Sequence, residues 1–174
     1  MTTNCYSHCL LPTPIGQVGV IASGNGLVEV MIGRSLEELA QAINRKYPTS
    51  VTVGDSVAVK ACLQLAEYFN GQRRVFDLRI DFSHRRDFTL SILQELARVP
   101  FGEILTYGEL ARRAGFPGRA RAAGQVMATN LLPLILPCHR VVGHGGRLTG
   151  YSGGEGIKTK RWLLDFENCL MKNM

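Results

Sequence analysis

The spacing of apolar residues changes character near residues 83–86, and no other feature limits the fold of this chain as much. Upstream, GQVGVIASGNGLVEVMIG alternates apolar and small residues around the turn signal SGNG and predicts a β-hairpin. SLEELAQAINRKYP opens with a Ser–x–x–Glu capping box and repeats apolar residues at Leu36, Leu39, Ala40 and Ile43, which predicts a helix ending at Pro48. A short VTV strand follows, then a helix in DSVAVKACLQLAEYFNG that stops at Gly71, then an alternating strand, RVFDLRIDF.

Downstream the period becomes helical. DFTLSILQELARV reads as a helix, PFGEIL as a loop, TYGELARRAG as a short helix closed by Gly115, and RARAAGQVMATN as another helix beyond the FPG turn. Two short helices across a tight Gly/Pro turn form the helix-turn-helix pattern. LLPLILPCHRVV is a Pro-flanked apolar loop, GHGGRLTG a hairpin turn, and KTKRWLLDFENCL a closing helix. The expected class is therefore α/β of the α+β kind. Residues 1–83 form a small α/β domain with a short antiparallel sheet, and residues 87–174 a mainly helical domain.

Charge adds a hint about partners. Twenty Lys+Arg face fourteen Asp+Glu, for a net +6 and a pI of about 9.3, which suits a polyanionic partner without requiring one. Arg112, Arg113, Arg119 and Arg121 crowd together; Lys158, Lys160 and Arg161 form a second group that fits phosphate contacts or a solvated helix start equally well. No apolar run is long enough for a membrane span, and MTTNCYSHC has no signal-peptide character, so a soluble cytoplasmic protein is expected. The five cysteines are odd in number and imply no disulfide framework; Cys62 and Cys169 read as ordinary buried or half-buried thiols. Cys5, His8 and Cys9 are metal-type ligands with no second pair at a usual spacing, so they read as loose terminal residues rather than a zinc site.

NLLPLILPCHRVV holds the residues best suited to chemistry. A cysteine nucleophile acts as a thiolate, and a free thiol of pKa ~8.5 is mostly protonated at neutral pH. Burial beside Leu134, Ile135 and Leu136 raises it further. His139 is the neighbour able to take the proton and hold it as an imidazolium beside Cys138. Adjacent side chains of an extended chain point apart, so the pair needs a bend or a bridging water, and Pro137 helps fix a bend. Taken alone, a Cys-His pair also fits an inert buried thiol.

The frame around the pair is more specific. ATN-x-x-P precedes PCHRV, and GYSGG and then WLLDFE follow it. This arrangement, over about residues 87–167, resembles the active-site region of the O6-alkylguanine-DNA alkyltransferases; the N-terminal half is compatible with that family through its βα content. The resemblance implies a ribonuclease H-like first domain and a winged helix-turn-helix second domain. Its activity is stoichiometric transfer of an alkyl group from O6 of guanine in double-stranded DNA to Cys138, with no cofactor, no metal and a monomeric protein. It gives His139 the part of base through a water, Glu167 that of the carboxylate orienting it, and Asn130 that of a tie between helix and active-site loop. Tyr107 helps turn the nucleotide out and donates a proton toward the guanine ring, and Arg121 fills the vacated space. Met127 and Pro133 wall the pocket, and the Val141 carbonyl and Ser152 bond the extruded base.

These roles suit the residue types. Guanine O6 is inaccessible in stacked DNA, so the nucleotide must leave the duplex. A planar guanidinium can stack in the gap. Ala122 and Gly124 leave the Arg121 face small, which permits close backbone approach and reads little sequence, so phosphates supply the grip; the resemblance adds approach through the minor groove. EGIKTKR, between YSGG and WLL, is longer than in the shortest family versions and leaves the range of alkyl groups open. Three other readings compete. A non-enzymatic flipping relative would lack the cysteine that is present here, a winged-helix regulator would carry base-reading side chains, and a cysteine hydrolase would need an oxyanion hole.

Overall fold

The computed structural model describes residues 6–51, 56–83 and 85–172. The chain divides into two compact units, Met1–Asp81 and Phe82–Met174.

The first unit is built on an antiparallel sheet of β1 (Ser7–Thr13), β2 (Gly16–Ser23) and β3 (Gly26–Gly33), in that order. The hairpin turns at Gly24–Asn25, where Ser23 Oγ accepts from the Asn25 N–H at 3.1 Å. Helix α1 (Leu36–Lys46) starts at Ser35, whose Oγ accepts from Glu38 N at 3.1 Å. The return half of the expected box goes one residue further back, from Arg34 N to Glu38 Oε2 at 3.2 Å. Leu39 and Ile43 meet the bare face of Gly19, where an added Cβ would lie 2.8 Å from Ile43 Cδ1, and they pack with Ile21 and Tyr47. Each such fully buried aliphatic side chain contributes roughly 1.5–3 kcal/mol. Helix α2 (Val57–Phe69) is capped by Ser56 and packs against β1 and β2.

Several local expectations need correction here. His8 and Cys9 belong to β1 rather than to a loose terminus: His8 Nδ1 lies 3.0 Å from Ser50 Oγ, and the Cys9 thiol faces the Leu10 carbonyl. Cys5, the remaining member of that group, lies outside the described residues. Of the VTV strand, Val51 makes one parallel bridge to Ser7, and Thr52 and Val53 lie outside the described residues. RVFDLRIDF is extended but does not join the sheet as a strand. It touches β3 through a single bridge, Leu27 to Ile80. At Asp77 its backbone is satisfied instead by the buried amide of Gln64, which accepts from Asp77 N at 2.9 Å and donates to Asp77 O at 3.1 Å. Gly26 makes that close passage possible, because a Cβ there would sit 2.6 Å from the Arg79 carbonyl.

In the second unit α3 (Asp87–Ala97), α4 (Tyr107–Arg113) and α5 (Ala120–Ala128) pack together. Thr106 and Glu109 close a full capping box on α4, with Thr106 Oγ1 accepting from Glu109 N at 3.2 Å and Glu109 Oε2 accepting from Thr106 N at 2.7 Å. Gly115 and Gly118, both at positive φ, turn the chain into α5. A two-rung parallel ladder joins β4 (Leu105–Thr106) to β5 (Val141–Val142), and α6 (Ile157–Lys172) closes the unit. GHGGRLTG turns without joining two strands; Gly143 N reaches Arg147 O at 2.8 Å, while β5 pairs with β4 instead. Cys62 is buried as expected, whereas Cys169 is exposed near the end of α6.

Candidate active site

The apolar loop between α5 and β5 is pinned before it reaches Cys138. Asn130, at the foot of α5, accepts from Leu132 N at 3.0 Å and donates to Leu136 O at 3.0 Å, so one buried amide brackets the loop. Leu134 is held at φ 74°, the one positive-φ residue other than glycine among the described residues. Pro137 then leads into a single 3-10 turn, Cys138–Arg140, which supplies the bend that two adjacent side chains need.

All three side chains of that turn are buried. His139 Nε2 lies 2.9 Å from Glu167 Oε1 on α6, and Arg140 grips the same carboxylate through Nε and Nη2 at 3.0 and 2.9 Å. Gly102 N donates to Glu167 Oε2 at 3.0 Å, and Arg140 Nη1 reaches the Val99 carbonyl at 2.7 Å. Burial opposes charge on Glu167, yet the hydrogen bonds from His139 and Arg140 hold its carboxyl far below the usual carboxylate range. An ionised Glu167 makes Nε2 the protonated nitrogen of His139. Nδ1 is left as a bare lone pair, buried and without a hydrogen-bond partner among the described residues.

Burial acts in opposite senses on the Cys138 and His139 pair. It pushes the Cys138 thiol up, against the pull of the Asn130 amide and the Lys160 ammonium. It pushes His139 down, more than the Glu167 carboxylate restores, with Arg140 and Lys160 adding to the fall. The resting pair is therefore a thiol beside a neutral imidazole, not the thiolate and imidazolium that the sequence suggests.

Lys160 is the residue that sequence reasoning misplaced. It sits three residues into α6, within a basic cluster that read as surface charge, yet it is fully buried. Nζ donates to Val141 O at 2.5 Å and Thr149 O at 2.9 Å, and lies 5.7 Å over the Tyr107 ring. Tyr151 was missed altogether. Its hydroxyl is buried without a partner among the described residues, and burial together with nearby Cys138 holds it well above the usual phenol range. The signal for Lys160 was its i, i+7 spacing from Glu167, which puts both side chains on one helix face.

Tyr107 opens α4, and its hydroxyl donates to the Thr149 carbonyl at 3.1 Å, the same oxygen that Lys160 holds. Its ring lies beside Gly124 of α5, 3.9 Å from where a Cβ would stand. Met127 and Pro133 are buried, Ala122 is half-buried, and Val141 is buried with its carbonyl taken by Lys160. Arg121 and Ser152 are exposed. The fold thus brings together Cys138, His139, Glu167, Asn130, Val141 and, through Thr149 and Lys160, Tyr107. A cavity of about 340 Å³ reaches Glu167 between Gly102, Ile104, Leu148 and Leu164, but does not touch Cys138.

Two family models match the chain. Residues 7–82 fit the 6-O-methylguanine DNA methyltransferase ribonuclease-like domain, and residues 87–169 fit the DNA binding domain of the same family. A methylated-DNA–protein-cysteine methyltransferase of Mycobacterium tuberculosis is 38% identical over 157 residues, 90% of this chain and 89% of the relative. One from Methanosarcina acetivorans is 33% identical over 160 residues, covering 92% and 97%. Among solved structures, the M. tuberculosis OGT in complex with DNA superimposes with a TM-score of 0.79 at 33% identity, covering 94% of each chain.

Proposed function

This chain belongs to the 6-O-methylguanine DNA methyltransferase family, and on that premise we propose that Cys138 is the residue on which the lesion's alkyl group ends. The protein binds DNA and repairs it by direct reversal, as a methylated-DNA–protein-cysteine methyltransferase. The observation that carries the assignment of the acceptor is the His139–Glu167 pair, made from the same 3-10 turn that holds Cys138, in a loop clamped by Asn130.

The chemistry follows from the protonation states. As the sulfur of Cys138 attacks the alkyl carbon, the thiol proton passes to the bare Nδ1 of His139, directly or through a water. Glu167 stabilises the imidazolium that results; held far below the usual carboxylate range, it remains an anion and orients the ring. The bond from carbon to O6 breaks with its electron pair going to the guanine, which takes up a proton donated by Tyr107; the tyrosinate regains a proton, and the His139 imidazolium gives up the one it took, through solvent. The products are a thioether and an unmodified guanine. A thioether has no easy route back to a thiol, so one molecule repairs one lesion.

Extrusion of the nucleotide costs a few kcal/mol, and Arg121 offsets it by occupying the gap. Met127 and Pro133 wall the pocket, the Val141 carbonyl, through the lone pair that Lys160 leaves open, and Ser152 bond the base, and Ala122 and Gly124 let the α5 backbone approach the minor groove. The exposure of Arg121 on α5 supports this reading. The site is contained in one copy, which supports action as a monomer. Among the described residues no helix is long and apolar enough to cross a membrane; work on DNA implies residence with the chromosome.

Mass spectrometry after incubation with an O6-methylguanine duplex tests the assignment. One methyl mass on the Cys138 peptide, in a stoichiometric burst, is expected, and Cys138→Ala should bind the duplex without transfer. Turnover, or methyl on another cysteine, would overturn it. Arg121→Ala should slow repair of duplex more than reaction with free O6-benzylguanine, and equal slowing of both would remove its gap-filling role.

A further inference from the structure

The extended segment of the first unit, RVFDLRIDF, meets β3 at a single bridge, and its printed bonds fix which way its main chain faces. The Asp77 N–H and carbonyl turn to Gln64. The Arg79 carbonyl accepts from Leu27 N at 2.8 Å, and Asp81 N donates to Leu27 O at 2.9 Å. Successive residues of an extended chain alternate, so the N–H and C=O groups of Phe76, Leu78 and Ile80 point to the opposite edge. Among the described residues none of those groups has a hydrogen-bond partner. Side chains alternate as well. The Phe76 ring turns inward, 5.7 Å from that of Tyr68 on α2, whereas Val75, Asp77 and Arg79 are exposed. An open edge of this kind is a template for another strand.

The charges say which strand it fits. Paired antiparallel with a second copy about Leu78, the segment sets Asp77 of each copy across from Arg79 of the other. The outward residues then meet as Phe76 with Ile80, Leu78 with Leu78 and Ile80 with Phe76, and each pair exchanges both main-chain bonds. Opposite charges directly across a strand pair stabilise it, and like charges oppose it. Moving the axis to Asp77 still lets outward groups bond but sets Asp77 against Asp77. Moving it to Arg79 sets Arg79 against Arg79 and Asp77 against Asp81. An in-register parallel pair also aligns like with like. One register survives. Asp77 is available for it, because its contact with Lys60, at 4.0 Å between side chains 92% and 61% exposed, is a weak one.

We propose that two copies of this chain pair with each other through residues 76–80, antiparallel about Leu78. The contact is short, well under the size of a standard interface, so the association is weak and reversible. No residue of the alkyl-transfer site lies in the segment, so each copy keeps a complete site and acts on its own. The pairing neither adds to the repair reaction nor depends on it.

Sedimentation velocity of the full chain, from micromolar to millimolar loading, tests the pairing. The wild type should pass from monomer to dimer as concentration rises, and added salt should weaken the dimer. Asp77→Arg and Arg79→Asp each set like charges across the pair and should weaken association by at least about tenfold. They move the net charge in opposite directions, so an effect of overall charge alone would strengthen one dimer and weaken the other. The double swap, Asp77→Arg with Arg79→Asp, rebuilds opposite pairs and should return association to within about threefold of wild type. Both side chains are exposed and the bonds to Gln64 are main-chain bonds, so these variants should fold and still take up one methyl at Cys138. A wild type that stays monomeric throughout, single reversals without effect, or a double swap no better than either single would each overturn the proposal.

Discussion

The two units of this chain handle charge in opposite ways. Residues 1–81 carry seven basic and seven acidic side chains, so the whole excess of +6 belongs to residues 82–174. Among the described residues of the first unit the buried carboxylate is Glu29, and it meets Tyr47 and Lys46 at the margin of an apolar cluster, with about half of the Lys46 side chain exposed. In the second, Glu167, His139, Arg140 and Lys160 are buried together in the core of the site. A fold that needs only stability keeps its ions at the edge, where water shares the cost. Ions drawn into a core indicate that something other than stability was selected.

That contrast can be broken by experiment. The largest effect belongs to Glu167→Ala, which strands the Arg140 guanidinium and two other donors; a loss of about 3–5 kcal/mol is expected in urea unfolding. Asn130→Ala releases the loop and leaves Leu132 N and Leu136 O without their bonds, for about 1–3 kcal/mol and a matching loss of transfer. In the first unit Glu29→Gln should cost only about 1–2 kcal/mol, since Lys46 can turn to solvent and Tyr47 keeps an acceptor. Equal penalties for Glu29 and Glu167 would erase the distinction.

Acidification should act on the same difference. Glu167 and His139 both have folded pKa values below their unfolded ones, so each contributes stability that is present at pH 7 and lost as protons are added. For His139 the loss begins below its unfolded value of about 6.5, and for Glu167 below about 4.3. Amide hydrogen exchange followed from pH 7 to 4 should therefore lose protection first in residues 87–169. The smallest effect is expected at Val75, 76% exposed; Val75→Ser should stay within about 0.5 kcal/mol in the same unfolding measurement.

How much of this was legible in the sequence depends on whether a signal was local. Ser35 and Gly71 mark helix ends through their own hydrogen bonds and dihedrals, and the helices lie where those residues put them. PCHRV within its frame identified the loop at the centre of the site. RVFDLRIDF carried the alternation of a strand, but whether an extended segment finds a ladder depends on what lies beside it, and here Gln64 lay there. Lys160 is the sharper case. Nothing in EGIKTKR separates it from Lys158, which stays exposed beside Glu155; only the path of the 149–151 loop over the start of α6 decides which lysine is enclosed.

The two rungs between Leu105–Thr106 and Val141–Val142 have a consequence for how such a chain can vary. Tyr107 directly follows one side of that ladder, and Cys138 stands three residues before the other. Their separation is thus set by main-chain bonds that no side-chain replacement removes. The turn between α4 and α5 and the exposed surface of α5 lie outside this frame. Replacements there leave the ladder untouched, so the spacing between Tyr107 and the turn that holds Cys138 is kept.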